Sequence, residues 1–263
     1  MQSTEHGDPA DRANAESRLI VVHDQPQSCP YLDAITARMP LRLPIGRLDG
    51  AALDSLLERG YRRTGDFVYR TECSGCQACE PTRVLVDRFD WTRSLRRVLR
   101  RGDADLTLRI GPPDCDAERI AMFNRHRGER SLAGDDEPVD ERGYRAFLVS
   151  SCCESIELAI HRDGRLIAVS IADVGSQSLS AVYTHFDPDE ARYSLGTYCV
   201  LKQIELAAAS GRRFVYLGMY VAQNRHLNYK SRFAPQQRLV DGQWRFDAGR
   251  WPCAGEDFLY NLQ

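Results

Sequence analysis

The chain has 263 residues, 43% of them hydrophobic and 27% charged, and a formal net charge of −2. This is the composition of an ordinary soluble globular protein, with room for one large domain or two small ones. It excludes a uniformly basic chain, and no apolar run approaches the length of a membrane span.

The N-terminal MQSTEHGDPADRANAES is polar and acidic and lacks the basic start and apolar run of a signal peptide, so residues 1–17 read as a disordered tail. A cytoplasmic protein is the expectation, and with it nine reduced cysteines. Asp49 caps an expected helix through AALDSLLER, with Gly60 after its end. Short strands are expected at residues 66–70 and 83–89, joined by a cysteine-rich loop, and a helix follows through TRSLRRVLRR. After the alternating residues 104–110, Gly111, Pro112 and Pro113 make a break. The expected division is 18–103, 104–250 and a tail over 251–263. Two helices, AERIAMFNRHR and ERGYRAFLVSS, lead into a hairpin turned at Asp163–Gly164 and a strand over 179–186. Next come a helix ending before Gly211, a strand over 212–218, a helix through AQNRHLNYKSRF and a hairpin turned at Asp241–Gly242. That order predicts an α+β fold with helices on a mostly antiparallel sheet. Cys115, Cys152, Cys153, Cys199 and Cys253 read as ordinary small residues within these elements.

Two local features stand out. Arg93, Arg96, Arg97, Arg100 and Arg101 fall within about 140° of one helical face, with Trp91, Leu95, Val98 and Leu99 opposite. A row of cations without an acid among them departs from the mixed charge of a solvated face and suits a polyanion, nucleic acid first; a solvated or intramolecularly paired face is the plain alternative. The second feature is SLGT, where Ser194 or the Gly196–Thr197 pair opens a helix whose free N–H groups suit a phosphate or an oxyanion. The plain alternative is a well-capped helix.

Cys73, Cys76 and Cys79 are spaced C-x2-C-x2-C, and Cys29 is the nearest spare thiol. The pattern is open to zinc or an iron–sulfur cluster, to structural or redox-sensitive thiols, and to a catalytic thiol. Of the 35 basic residues only Lys202 and Lys230 are lysines. A genome that favours arginine codons is the plain explanation; under that bias Lys230 is a candidate for a place where a compact ammonium is wanted, while Lys202, mid-helix, is open to chance.

In order along the chain, SCPYL, GYRRTGDFVYRTECSGCQACEPTRV, WTRSLRRVLRRGDADL, VYTHFDPDEARYSLGTYCVLKQIE, FVYLGMYV and NYKSRFAPQQRLVDGQW resemble the arginyl/leucyl-tRNA–protein transferases, with the leucyl branch the nearer. The resemblance spans residues 24 to 247. It implies an enzyme that moves an amino acid from its tRNA to a protein N-terminus, marking that protein for degradation. In the leucyl branch the acceptor residue is Asp or Glu. It also implies a small cysteine-bearing N-terminal domain followed by a domain of the N-acetyltransferase type. Eukaryotic relatives bind a metal or cluster through cysteines; here one of their pairs reduces to Cys29 with Leu32, and Cys73, Cys76 and Cys79 replace a shorter second group. The family's K-M-x-Y-K-like segment is here His226-Leu227-Asn228-Tyr229-Lys230.

The chemistry fits these residues. An aminoacyl ester is already activated, and an α-amine with a pKa of about 8 is partly neutral near pH 7. Alignment and oxyanion stabilisation are the main tasks, and no cofactor is required for them. Tyr229, Lys230 and the Ser194–Thr197 turn are expected to line the acyl-transfer cleft. Tyr183 is expected nearby, as is Asp187, which would bind the acceptor ammonium or take its proton; the plain alternatives are a core aromatic for Tyr183 and a turn for Asp187–Pro188. Lys230 or an arginine of Arg62–Arg63 is the expected partner of an acidic N-terminal side chain, and the stripe from Arg93 to Arg101 that of the tRNA. A non-catalytic RNA-binding module and a CoA-dependent N-acetyltransferase are the rival readings. The first leaves SLGT and NYK without a role, and the second lacks the full phosphate loop.

Overall fold

The computed structural model describes residue 16, residues 18–129 and residues 137–246. The expected tails lie outside the described residues except for Glu16, and so does Cys253. In the first part of the chain, β1 (Leu19–His23), β4 (Leu41–Pro44), β6 (Phe67–Tyr69) and β5 (Arg62–Thr64) form a four-stranded sheet in that order, and β2 (Gln27–Ser28) pairs with β3 (Thr36–Ala37). Helix α1 (Gly50–Glu58) is capped by Asp49, whose side chain accepts from the Ala52 N–H. Gly60, just past the helix, has φ +83°. Leu53, Leu56 and Leu57 of α1 pack with Tyr61 and Val68, and also with Cys152, Cys153 and Tyr216 from far along the chain.

The larger sheet has eight strands in the order β14-β13-β7-β12-β11-β10-β9-β8. They are β7 (Glu80–Leu85), β8 (Thr107–Gly111), β9 (Ser155–Arg162), β10 (Arg165–Val174), β11 (Ser178–Phe186), β12 (Phe214–Tyr220), β13 (Gln236–Val240) and β14 (Gln243–Phe246). All neighbours are antiparallel except β11 and β12, which run parallel. Helices α3 (Ala117–Glu129) and α4 (Glu141–Tyr144) precede β9; a parallel pair needs a crossover, and helix α5 (Leu195–Ala209) supplies it. The α+β class and mostly antiparallel sheet are those the element order implies. Both Asp–Gly turns form as read, with positive φ at Asp163, Gly164, Asp241 and Gly242. Strand β7, from the N-terminal part, lies between β12 and β13. Residues on both sides of the expected boundary at 103/104 therefore share one sheet.

Two expected elements differ. The strand expected over 83–89 ends at Leu85 and continues as a 3-10 turn, Val86–Arg88. AQNRHLNYKSRF forms only a 3-10 turn, Asn228–Arg232. Here the Asn224 side chain accepts from the His226 N–H at 2.9 Å and Asn228 donates to the Ala222 carbonyl at 3.2 Å. These bonds compete with a helical ladder.

Helix α2 (Arg93–Asp105) carries the arginine stripe and is capped by Thr92, whose hydroxyl accepts from the Leu95 N–H at 3.3 Å. Leu95 is buried, and Trp91, Val98 and Leu99 pack against Phe89, Val200, Ile204 and Phe233. Gly102 lets the helix approach α5, since a Cβ there would lie 2.2 Å from the Tyr198 ring. Gly102→Ala should therefore destabilise the protein by about 1–3 kcal/mol despite alanine's better helix propensity, as read by denaturant unfolding.

Candidate active site

The parallel strands β11 and β12 are paired only over Ser178–Ser180 and Phe214–Tyr216. Immediately beyond, each strand carries an extra residue. Ala181 and Tyr183 face consecutive residues of β10, leaving Val182 over. Tyr216 and Gly218 likewise face consecutive residues of β7, leaving Leu217 over. A bulge bends its strand, and two placed side by side open a fork. Gly218 takes φ +88° there.

Two buried cations fill the fork. Arg62, from β5, donates to the Ser180 hydroxyl at 3.2 Å and to the Ala181 carbonyl at 2.5 Å. Lys230 donates from Nζ to the Met219 carbonyl at 2.5 Å. A Cβ on Gly218 would lie 3.2 Å from Arg62 Nη2 and 3.6 Å from Lys230 Nζ, so both cations press on this glycine. They are 8% and 7% exposed, and among the described residues neither makes a salt bridge; Asp173, itself paired with Arg63, attracts Arg62 from farther off. Burial first, and then the Arg62 guanidinium, bring the Lys230 ammonium down to about 7. Gln236 holds the Lys230 backbone through a 3.0 Å bond from its side-chain N–H to the Lys230 carbonyl, and accepts from the Thr82 hydroxyl at 2.6 Å.

Arg63 does something different. Alternate residues of a strand face opposite ways, and Arg63 is turned into a buried ion pair with Asp173 at 2.8 Å, both side chains 1% exposed. Of the two adjacent arginines, only Arg62 reaches the fork.

The four candidate thiols gather at the edge of this site. Cys29, Cys73, Cys76 and Cys79 are half-buried and free. Burial, followed by the neighbouring Cys29, Cys73 and Cys76, pushes the Cys79 thiol up to about 12, while Lys230 opposes that rise. The donor set suits zinc or an iron–sulfur cluster, but the arrangement does not fit one. Among the described residues no group of three or more His, Cys, Asp or Glu side chains is placed to hold a metal ion. The Cys73 sulfur accepts from the Arg38 N–H at 3.4 Å. Tyr31, two residues past Cys29, is also near Arg62; burial, Tyr69 and Cys79 keep its phenol protonated. Asn224 donates to the Tyr31 carbonyl at 3.0 Å. Tyr31 and Gln236 were not singled out from sequence, because neither sits in a spacing pattern that marks them.

The remaining candidates lie along the β11 limb. Tyr183 is half-buried among Phe123, Phe147 and His185, with ring centroids 5.4, 5.4 and 6.2 Å away. Asp187, expected to meet the acceptor ammonium, is committed elsewhere. Its carboxylate pairs with Arg125 at 2.9 Å and Arg165 at 2.5 Å, while Glu190 beside it pairs with Arg162 and Arg165. Ser194 caps α5 with φ +52° and no side-chain bond. Its carbonyl accepts from the Thr197 and Tyr198 N–H groups, and Gly196 packs near Phe186. Tyr229 packs edge-on to Phe233 at 6.3 Å, next to Lys230. On α2, all five stripe arginines are exposed, and a shallow cleft is lined by Arg93, Arg96, Leu99 and Arg100.

A family model described as the N terminus of arginine-tRNA-protein transferase matches residues 27–97, and one described as its C terminus matches residues 118–240. The chain belongs to this family. An aspartate/glutamate leucyltransferase of Acinetobacter baumannii is 42% identical over 221 residues, which are 84% of this chain and 81% of that protein. Among solved structures, the C-terminal domain of a putative lysylphosphatidylglycerol synthetase from Agrobacterium fabrum is 17% identical with a TM-score of 0.43, covering 64% of this chain and 51% of that one. A putative acetyltransferase of the GNAT family from Novosphingobium aromaticivorans is 13% identical with a TM-score of 0.34, covering 90% and 75%. The two transferase segments meet at the fork. The N-terminal one brings Arg62, Tyr31 and the thiols, and the C-terminal one brings the β11 limb, Gly218 and Lys230. Among the described residues no helix is long and apolar enough to cross a membrane.

The ion-pair network at the end of β11 yields a prediction. Burial opposes the Asp187 charge, but Arg165, the Asp189 N–H and Arg125 outweigh it and hold the carboxyl below the usual range. A depressed carboxyl contributes stability above its unfolded pKa and loses it as the pH falls. Both arginines are substantially exposed, which screens the pairs. Asp187→Asn should therefore cost about 1–2 kcal/mol at neutral pH. In denaturant unfolding, that difference should shrink through the acid range.

Proposed function

We propose that this transferase moves leucine from its tRNA to the N-terminal Asp or Glu of another protein, marking that protein for degradation. The observation that carries the reading is the pair of buried cations, Arg62 and Lys230, held only by neutral oxygens. Asp173 attracts Arg62 but is already paired with Arg63; a buried charge without a directly bonded counter-charge is costly, and an acidic side chain entering the fork supplies one. The name of the Acinetobacter baumannii relative supports the same acceptor class.

In this reading the carboxylate of the acceptor's first residue binds Arg62 and Lys230, with Tyr31 and the thiol loop as the wall. That places the α-amine at the mouth of the fork. The aminoacyl ester approaches from the β11 side, where Tyr183, Tyr229 and the turn at Ser194, Gly196 and Thr197 line its path. The amine attacks the ester carbonyl, the tRNA 3′ oxygen leaves, and the amine proton passes to solvent or to the leaving oxygen. Alignment supplies most of the rate. The thiols stand beside this site, no step passes through a metal, and Asp187 has no part in it. Arg93, Arg96, Arg97, Arg100 and Arg101 hold the tRNA phosphates. Such a reaction belongs to the cytoplasm, where aminoacyl-tRNA is made.

The test is transfer from labelled Leu-tRNA or Arg-tRNA to peptides beginning with Asp, Glu, Lys or Ala. Leucine should pass to the Asp and Glu peptides; transfer to neither would refute the reading. Lys230→Ala should raise KM for the Asp peptide about 10- to 100-fold, the loss of one charge-assisted contact. Lys230 is charged below about pH 7 and neutral above it, so affinity for the Asp peptide should weaken as pH rises from 6 to 8. Lys230→Arg should flatten that dependence, since its charge does not titrate there.

The stripe makes a separate prediction. Replacing Arg96, Arg97 and Arg100 together by Ala should weaken tRNA binding and lower the slope of log affinity against log salt by about 2–3. Filter binding across salt concentrations reads both, and an unchanged slope would remove the stripe from the interface.

A further inference from the structure

The basic face of α2 has two unlike ends. Past Arg101 the helix turns acidic, with Asp103 accepting from the Tyr198 hydroxyl at 2.9 Å and Lys202 at 3.3 Å, and Asp105 from the Tyr193 hydroxyl at 2.8 Å. Arg101 itself donates to the Arg192 carbonyl at 2.6 Å. A polyanion following the stripe meets the first carboxylates of the helix in that direction, Asp103 paired with Lys202 and Asp105 bonded to Tyr193 beside Arg192.

The start of α2 abuts the segment that carries Lys230. The Asp90 N–H donates to the Ala234 carbonyl at 2.8 Å, and Trp91 and Tyr229 pack on the same buried cluster as Phe89 and Phe233. In the turn Asn228–Arg232, Lys230 is buried while Arg232 is exposed. Arg232 has no ion pair or hydrogen bond among the described residues. Arg93, at the start of α2, and Arg232, at the end of that turn, are thus exposed on the two segments that meet here, with Asp87 and Asp90 the exposed carboxylates just before α2.

We propose that Arg232 extends the α2 stripe into one track that fixes the polarity of the bound tRNA. The paired acceptor stem lies on Arg96, Arg97 and Arg100, and the unpaired 3′ nucleotides cross Arg93 and Arg232 toward the fork. The opposite polarity would send the 3′ end over Asp103 and Asp105, away from Lys230. This inference rests on the aminoacyl-tRNA reading above.

The experiment measures binding of deacylated tRNA, intact or trimmed of its unpaired 3′ nucleotides, to wild type, Arg232→Ala and Arg96→Ala/Arg100→Ala across a range of salt. Arg232→Ala should weaken intact tRNA several-fold and lower its salt slope by about 0.7, the value for one single-strand phosphate contact. It should leave trimmed tRNA unaffected, and Arg232→Lys should restore most of the loss. The double variant should weaken both RNAs alike. If Arg232→Ala has no effect, or weakens intact and trimmed tRNA equally, the polarity is wrong while the transferase reading stands. Wild type that binds neither RNA overturns both.

Discussion

The fork between β11 and β12 is the constraint on which the rest of this molecule depends. Two bulges, at Val182 and Leu217, end a parallel pairing after only a few residues. That opening would expose backbone carbonyls in a buried place, and unpaired buried carbonyls are costly. Arg62 and Lys230 satisfy them at Ala181 and Met219. The side chains that repair the sheet are thus also the ones that create a concentrated positive charge. Gly218 makes the arrangement possible, since its left-handed backbone and missing side chain leave room for both cations.

The molecule separates two kinds of cation. On α2 the guanidinium groups are exposed and can follow a phosphate chain. At the fork they are dry, where a single carboxylate gains far more from them. Elsewhere arginines are spent on structure, as in the Arg63–Asp173 pair and the cluster around Asp187 and Glu190. A sequence with this many arginines does not itself say which belong to which class. Burial and the presence of a carboxylate partner distinguish them.

Much of the fold was legible because its signals are local. The Asp–Gly turns, the Asp49 and Thr92 caps and the two-faced pattern of α2 each follow from a few adjacent residues. AQNRHLNYKSRF misled because asparagine side chains took up backbone groups that periodicity assigns to a helix. Within the site, Lys230 and the Arg62–Arg63 pair stood out as residue types, but choosing Arg62 over Arg63 required the strand and its partner. Asp187 looked available because its arginines, Arg125 and Arg165, come from distant parts of the chain. Gln236 and Tyr31 act through contacts that leave no mark on spacing.

The placement of β7 reaches beyond the candidate active site. Its one edge pairs with β12 and its other with β13, so a strand made early in synthesis waits for partners made near the end. A C-terminal half without residues 80–85 would present two unpaired strand edges, the feature through which sheets join one another and aggregate. The N-terminal part thus supplies an interior strand, third of eight, to the larger sheet, and neither half of the enzyme completes that sheet without the other.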